Sequence, residues 1–421
     1  MELIIPEKVA VILHTLGDAG YEAFAVGGCV RDAILNRRPE DWDITTQASP
    51  EQVKELFPRC IDTGIQHGTV TVMMGKDGFE VTTYRIDGEY HDGRHPDSVA
   101  YTSDLREDLR RRDFTMNAMA YHPKTGLVDI FGGREDLAAG IVRCVGDARE
   151  RFTEDALRIL RAVRFSAQLD FTIEEQTLEA LQELAPRLSL VSRERIQVEL
   201  TKLLVSKHPD RVKLLYDTGI LTVILPELAE VYREYQEELL AALQHISAGK
   251  WRRYAALLAE CGQSGAQKVL KSLKFDTDTM QNVSRLVGWK DRELDGTIYG
   301  VRKLMHETGE VLFLPLMELK EALLQADLQS DDDAERVQAA KAAREQIKLA
   351  RLQFEEVLER GQCTSLAGLA VTGADLLAAG FPQGRLLGQI LNGLLEEVLE
   401  HPEYNEKALL LQKAEAFREE H

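Results

Sequence analysis

The chain has 421 residues, of which 44% are hydrophobic and 29% charged, a composition typical of a globular protein with room for two or more domains. No apolar run approaches the length of a membrane span and no basic, apolar leader opens the sequence, so we expect a cytoplasmic protein that does not enter membranes. Its five cysteines show no Cys-x-x-Cys or Cys/His spacing, so neither disulfides nor structural zinc are expected.

The first third of the chain alternates short apolar segments with loops. An amphipathic helix is predicted over residues 6–20, and strands are predicted at 24–26, 42–46, 70–74, 79–85 and 126–130. After Phe152 helical periodicity dominates, and residues 320–360, which contain neither Pro nor Gly, predict at least one long helix. The sequence therefore predicts an α+β protein with a strand-rich beginning and an all-α remainder.

A net charge of −19 argues against a nucleic-acid partner, because phosphate binding relies on Lys and Arg. Basic residues nevertheless recur in groups, at 110–112, at 158, 161 and 164, at 250–253 and at 268, 271 and 274. One concave face could concentrate them, although each group alone fits a solvated helix face equally well.

A glycine turn follows the first predicted strand. Residues 24–26 are apolar and lead into Gly27 and Gly28, where missing side chains leave backbone amides open to a phosphate. Arg31 follows at once and can bind the same anion with its planar guanidinium. The segment predicts a phosphate-binding turn.

Two carboxylates, Asp41 and Asp43, flank Trp42 in a segment rich in strand formers. Alternate residues of a strand point to the same side, so both carboxylates are expected on one face. Two like charges held so close are costly without a cation between them, and Mg²⁺ prefers such oxygen ligands. A solvated polar turn is the alternative for this pair taken alone.

Three motifs in order resemble those of the class II tRNA nucleotidyltransferase and bacterial poly(A) polymerase family, and in particular its CCA-adding enzymes. They are residues 27–32 with Asp41-x-Asp43, then 111–118, then 154–162. The combination covers about the first half of the chain and is far more specific than any one motif. It implies a DNA polymerase beta-like head with a mixed sheet at 1–150, followed by a helical neck at 151–215, body at 216–330 and tail at 331–421.

The resemblance implies template-independent addition of C, C and A to the 3′ end of tRNA from CTP and ATP, with release of pyrophosphate. Two Mg²⁺ ions would be held by Asp41 and Asp43, and Glu80, on the strand at 79–85, matches the third acid of the family. An exposed strand glutamate is the alternative for Glu80. A poly(A) polymerase or A-adding enzyme stays open, as does, from another class, a non-catalytic tRNA-binding protein. The oligomeric state is left open as well.

Several residues are assigned to the nucleotide by this resemblance. Gly28 and Arg31 lie at the glycine turn, Arg112 contacts the triphosphate, and Asp113 and Asn117 lie near the sugar. The polar loop at 87–97 matches a segment implicated in the change from CTP to ATP. The motif at 192–200, with Ser192 as a helix N-cap, is expected to brace the neck.

A helix that begins near Asp155 completes the predicted site. Thr153 is the expected N-cap, Glu154 and Asp155 occupy the first turn, and Asp155 then shares a face with Arg158. A solvated ion pair between residues three apart is the ordinary explanation for this spacing.

The resemblance instead implies that this helix reads the base. Cytosine and adenine both present an amino donor beside a ring-nitrogen acceptor, which a carboxylate and a guanidinium match, whereas uracil and guanine present the reverse order. The residues assigned to the nucleotide here are Asp155, Arg158, Arg161 and Arg164.

Overall fold

A computed structural model describes residues 2–88, 99–330 and 333–419 of the chain. The chain divides into two units, residues 1–230 and 231–421. The finer division into head, neck, body and tail stays a prediction, and most of the loop at 87–97 lies outside the described residues.

A seven-stranded mixed sheet forms the centre of the first unit. The strands of this unit are β1 Ala23–Val26, β2 Asp43–Thr46, β3 Cys60–Gly64, β4 Thr69–Met74, β5 Asp77–Thr83, β6 Arg85–Asp87, β7 Val99–Tyr101, β8 Met119–His122, β9 Gly126–Asp129, β10 Ile141–Val142 and β11 Thr172–Ile173. The large sheet has the order β3-β4-β5-β2-β1-β8-β9. Its pairs are antiparallel except for β2 and β5, which run parallel. The expected mixed sheet of an α+β head is thus confirmed.

Helices surround this sheet and follow it along the chain. They are α1 Glu7–Asp18, α2 Gly28–Ile34, α3 Pro50–Leu56, α4 Leu105–Arg110, α5 Gly133–Ala139, α6 Ala148–Glu154, α7 Leu157–Leu169, α8 Glu175–Leu184, α9 Arg193–Leu204, α10 Val212–Asp217, α11 Ile220–Ile224 and α12 Pro226–His245. Local signals start several of them. At α3, Ser49 and Gln52 form a reciprocal capping box, with Pro50 in the first helical position.

Within its described residues, the second unit contains helices and connecting loops but no strand. After α12 come α13 Lys250–Leu257, α14 Gly262–Ser272, α15 Thr277–Trp289, α16 Ile298–Thr308, α17 Glu310–Leu323, α18 Gln325–Leu328, α19 Ala334–Glu359, α20 Gly373–Ala378, α21 Arg385–Glu400 and α22 Lys407–Glu419. The long helix predicted within 320–360 is α19, of 26 residues. In the described part of the chain, no helix combines the length and apolarity needed to cross a bilayer.

The predicted strands are present as β1, β2, β4, β5 and β9, whereas the large sheet also contains β3 and β8, which the sequence pattern does not indicate. The omission of β8 has a physical reason. Met119, Ala120 and Tyr121 are all buried, so the strand lacks the alternation that marks a half-exposed strand. It lies between β1 and the edge strand β9, beside the glycine turn.

The start of α5 packs against the turn that carries Asn117. The Asp129 carboxylate accepts hydrogen bonds from the backbone N–H groups of Gly133 and Arg134, at 2.8 and 2.9 Å, and so caps the helix. A Cβ on Gly133 would overlap the backbone carbonyl of Thr115 and lie 2.8 Å from its carbon atom. Only glycine allows this close approach, so α5 fixes the position of the Thr115–Asn117 turn.

We expect Gly133→Ala to lower the free energy of unfolding of the first unit by about 1–3 kcal/mol, because the new methyl group must displace backbone. Gly17→Ala is the matched control, since Gly17 lies in α1 with no atom within 4 Å of its added Cβ. This control should be neutral or stabilising by up to about 1 kcal/mol. Denaturant unfolding of both variants measures the difference, and equal effects would contradict the steric argument.

Candidate active site

The glycine turn brings two arginines together. β1 ends at Val26, and Gly27 has a φ of +83°, in the left-handed region that disfavours other residues. A Cβ on Gly27 would lie 3.0 Å from Nη1 of Arg112, and a Cβ on Gly28 would lie 3.6 Å from Nη2 of Arg31. The predicted phosphate-binding residues therefore lie side by side, although they are far apart in the chain.

The acidic residues meet on neighbouring strands. The parallel register pairs Ile44 of β2 with Val81 of β5, so Asp43 and Glu80 stand at adjacent positions. Glu80 is exposed while Phe79 and Val81 are buried, which confirms the predicted alternation.

Asp41 differs from the expectation that both aspartates lie on one strand. β2 begins at Asp43, the partner of Val26, because β1 ends there in the glycine turn. Asp41 therefore precedes the strand. It still acts on Asp43 electrostatically.

Asp41 and Glu80 both act on the carboxylate of Asp43. Partial desolvation raises the pKa of Asp43, although its side chain still reaches solvent, Arg112 opposes this shift, and Glu80 and Asp41 raise the pKa further. Among residues 2–88, 99–330 and 333–419, no three His, Cys, Asp or Glu side chains could hold a metal ion by themselves. The arrangement fits a cation bound by two aspartates together with phosphate oxygens and water, which is the set that Mg²⁺ commonly accepts.

Asp108 holds Arg112 in place, and sequence reasoning missed it. This carboxylate is fully buried, forms ion pairs with Arg111 at 2.7 Å and Arg112 at 3.4 Å, and accepts a hydrogen bond from Thr45. Burial alone would raise its pKa, but the two arginines outweigh that effect and lower it. The available signal was the spacing, because Asp108 on α4 lies three residues before Arg111 and four before Arg112.

A buried network joins the glycine turn to α7. Arg31 donates to Asn117 Oδ1 at 2.8 Å, Asn117 Nδ2 donates to Asp113 Oδ1 at 3.0 Å, and Arg161 binds Asp113 Oδ2 through two nitrogens at 2.8 and 2.6 Å. Burial works against the charge on Asp113, yet Arg161 and Asn117 hold the pKa of that carboxyl well below its usual range. Asp113 and Asn117 thus have protein partners, and their contact with a sugar stays a prediction.

Arg164, farther along α7, pairs with an acid from α9. Its Nε lies 2.6 Å from Glu199, and burial lowers the pKa of Arg164 to about 10 even with this partner. Arg161 lies 3.8 Å from the same carboxylate. Sequence reasoning did not single out Glu199, although its place in the motif at 192–200 offered a signal.

The junction between α6 and α7 corrects the prediction for Thr153. Asp147 caps α6, and Thr153 lies in the last turn of that helix, so it is not an N-cap. Asp155 instead adopts an extended conformation between the helices, and its Oδ1 accepts a hydrogen bond from the N–H of Leu157 at 3.0 Å. The prediction assumed one helix where the chain forms two.

Asp155 and Arg158 are held by separate partners. The Asp155 carboxylate pairs with Arg195 of α9 at 2.8 Å, and Arg158 pairs with Glu154 at 2.6 Å. Arg158 also donates to the carbonyl of Arg111 at 3.0 Å. The ordinary explanation, an ion pair between Asp155 and Arg158, is therefore wrong. Their role in reading a base stays a prediction.

A mixed sheet that carries adjacent acids beside a glycine turn defines a nucleotidyltransferase type of head. The family model of the poly A polymerase head domain matches residues 23–143. A probable RNA and SrmB-binding site of polymerase A matches 170–232, and a putative tRNA nucleotidyltransferase domain 2 matches 247–414.

Curated relatives give the family. A CCA-adding enzyme of Lactiplantibacillus plantarum is 36% identical over 95% of this chain and 93% of its own length, and one of Pediococcus pentosaceus is 36% identical over 96% of each. A crystal structure of the Bacillus stearothermophilus CCA-adding enzyme in complex with CTP is 30% identical, with a TM-score of 0.76 over 99% of this chain and 100% of that one. The chain belongs to the family of CCA-adding enzymes.

The raised pKa of Asp43 predicts a pH-dependent stability. The carboxyl ionises less readily in the folded state than in the unfolded state, so folding is penalised as the pH rises above the ordinary value of 3.8. In metal-free buffer, Asp43→Asn should therefore melt at a higher temperature than the wild type at about pH 7, and the gap should narrow toward about pH 4. The control is Glu55→Gln, which neutralises another exposed carboxylate, on α3 and away from the acid cluster. An equal difference in melting temperature between the Asp43→Asn variant and the wild type at both pH values would contradict a raised pKa of Asp43.

Proposed function

We propose that this protein adds C, C and A to the 3′ end of tRNA, using CTP and ATP and releasing pyrophosphate. The observation that carries the proposal is a cluster of three carboxylates, Asp41, Asp43 and Glu80. This cluster lies beside a glycine turn flanked by Arg31 and Arg112. The full-length likeness to relatives named CCA-adding enzymes supports it.

The proposed reaction is attack of the tRNA 3′-hydroxyl oxygen on the α-phosphorus of the nucleotide. A new P–O bond forms, the bond between the α- and β-phosphates breaks to release pyrophosphate, and the hydroxyl proton is lost to solvent. Arg31 and Arg112 orient the triphosphate from the glycine turn, where guanidinium groups match phosphate oxygens. Asp41 and Asp43 would hold Mg²⁺, which when bound lowers the pKa of the attacking hydroxyl and neutralises charge on the phosphates. Glu80 holds its carboxylate next to Asp43.

Selection of the nucleotide is assigned to the start of α7. In the proposal, Asp155 accepts a hydrogen bond from the exocyclic amine of C or A, and Arg158 donates to their ring acceptor. A base with the reverse order leaves these charged groups mispaired, which costs more than a missing contact. One protein surface thus specifies two nucleotides without a template.

Two other functions make different predictions for substrate use. A poly(A) polymerase or A-adding enzyme of the same family would use ATP and ignore CTP, and a non-catalytic tRNA-binding protein would use neither. Transcripts that end before CCA, after C and after CC, offered with each nucleotide in turn, separate all three. The proposed tRNA substrate also supports the expected cytoplasmic location.

Asp41→Ala and Asp43→Ala should each abolish incorporation of both CTP and ATP, because the two aspartates serve the chemical step shared by all three additions. Binding of tRNA should stay close to that of the wild type, as measured by filter binding. Radiolabelled nucleotide incorporation with Mg²⁺ measures the loss. Near wild-type turnover by either variant would show that the metal assignment is wrong.

Asp155→Ala should raise incorporation of UTP or GTP relative to CTP and ATP by roughly ten- to a hundred-fold, since a buried hydrogen bond to a charged group is worth about 1.5–3 kcal/mol. Arg195→Gln is the matched control, because it breaks the ion pair with Asp155 but leaves the carboxylate in place. If both variants kept wild-type selectivity, or if both lost it equally, Asp155 would be a structural partner of Arg195 only.

A further inference from the structure

Three arginines surround a single aromatic ring in the first unit. The guanidinium carbon of Arg164 lies 3.7 Å from the centroid of the Phe165 ring, that of Arg31 lies 4.9 Å away, and that of Arg161 lies 5.4 Å away. All three fall within the range in which a cation is attracted to the negative face of a ring. Arg31 comes from α2, whereas the other two flank Phe165 on α7.

The ring itself is firmly held. Phe165 is 4% exposed, and it packs edge-on against Phe114, with a centroid distance of 5.7 Å and an angle of 84°. This is a favoured arrangement of two aromatic rings. Phe114 directly precedes the turn that carries Asn117, the hydrogen-bond partner of Arg31. The ring therefore sits where the glycine-turn side and the α7 side of the site meet.

Acids alone do not bring these arginines to one place. Arg31 pairs with Asp32, Arg161 with Asp113, and Arg164 with Glu199. Arg161 also lies 3.8 Å from Glu199, so this acid links the two α7 arginines, but none of these acids contacts all three, and the like charges repel one another. The contact that all three share is the ring of Phe165.

We propose that Phe165 is a positioning residue for the nucleotide site, whose ring holds the phosphate-side Arg31 at a fixed distance from the α7 arginines. This inference rests on the proposed function, because it takes Arg31 to contact the triphosphate and α7 to read the base. Phe165 itself touches no substrate. It sets the spacing into which a nucleoside triphosphate must fit.

A purely hydrophobic role for Phe165 predicts something different. A core side chain contributes through its volume, and replacing it lowers stability without a particular effect on nucleotides. A positioning role depends on the charge distribution of the ring. Pentafluorophenylalanine separates the two, because it keeps the ring but removes the negative face that attracts cations.

The test uses the full chain with Phe165→Leu and, separately, with pentafluorophenylalanine at position 165. Equilibrium binding of CTP and steady-state addition to a tRNA transcript that lacks CCA are measured for each. Both variants should weaken CTP binding and raise the KM for CTP by about 2- to 30-fold, the range expected when cation–π contacts are lost. The affinity for cytidine, which has no phosphate, should change less.

Phe57→Leu is the matched control, since Phe57 is 6% exposed and lies at the end of α3, outside the proposed site. It should lower the melting temperature but leave the KM for CTP unchanged. Should Phe165→Leu fail to fold, the fluorinated protein still decides the question. A wild-type KM in the fluorinated protein, or an equal rise in KM in the Phe57 control, would overturn the proposal.

Failure of the proposed function gives a distinguishable result. If the wild type bound CTP but incorporated no nucleotide, nucleotidyl transfer would be wrong, and weaker CTP binding by the Phe165 variants would still support the positioning role. If the wild type bound no CTP at all, the positioning role would be overturned as well.

Discussion

The buried carboxylate of Asp113 is the interaction on which the rest of the site depends. One oxygen accepts hydrogen bonds from the N–H of Phe114 and the amide of Asn117, and the other binds two nitrogens of Arg161. These bonds tie the loop after α4 to α7. A buried carboxylate is tolerated only when its oxygens are satisfied in this way. Arg31, through Asn117, and the helix that carries Arg161 are both linked to this group, and the ring of Phe165 contacts both arginines as well.

The charges of the acid cluster, Asp41, Asp43 and Glu80, are not balanced in the same way. The charge of Asp113 is satisfied by Arg161, whereas Asp43 keeps a raised pKa because desolvation and the nearby Glu80 and Asp41 outweigh the opposing charge of Arg112. A cluster of like charges with a raised pKa is typical of sites that bind a cation, and it costs stability until the cation arrives. The sheet keeps Asp43 and Glu80 close together despite this cost, because β2 and β5 are interior strands whose pairing fixes the register.

Local signals let the sequence predict the glycine turn, the exposed position of Glu80 on β5 and the long helix α19, since each depends on neighbouring residues. The errors share a different cause. The sequence indicates Thr153 as a cap because the break between α6 and α7 has no Pro or Gly to mark it. Arg195 was not recognised as the partner of Asp155 because it lies 40 residues away and only the fold brings it close. Ion pairs of this kind are properties of packing, and one sequence carries little trace of them.

The ion pair between Asp155 and Arg195 would affect how tightly a nucleotide is held. In the proposed reading of the base, a nucleotide would find the Asp155 carboxylate, whose side chain is 17% exposed, already paired with the guanidinium of Arg195. Binding then becomes a trade of one partner for another, so little net affinity is gained even though the match is selective. A protein that must take up and release several nucleotides in succession is served well by weak, selective contacts. Arg195 would hold the Asp155 carboxylate in the same position after one nucleotide leaves and before the next binds.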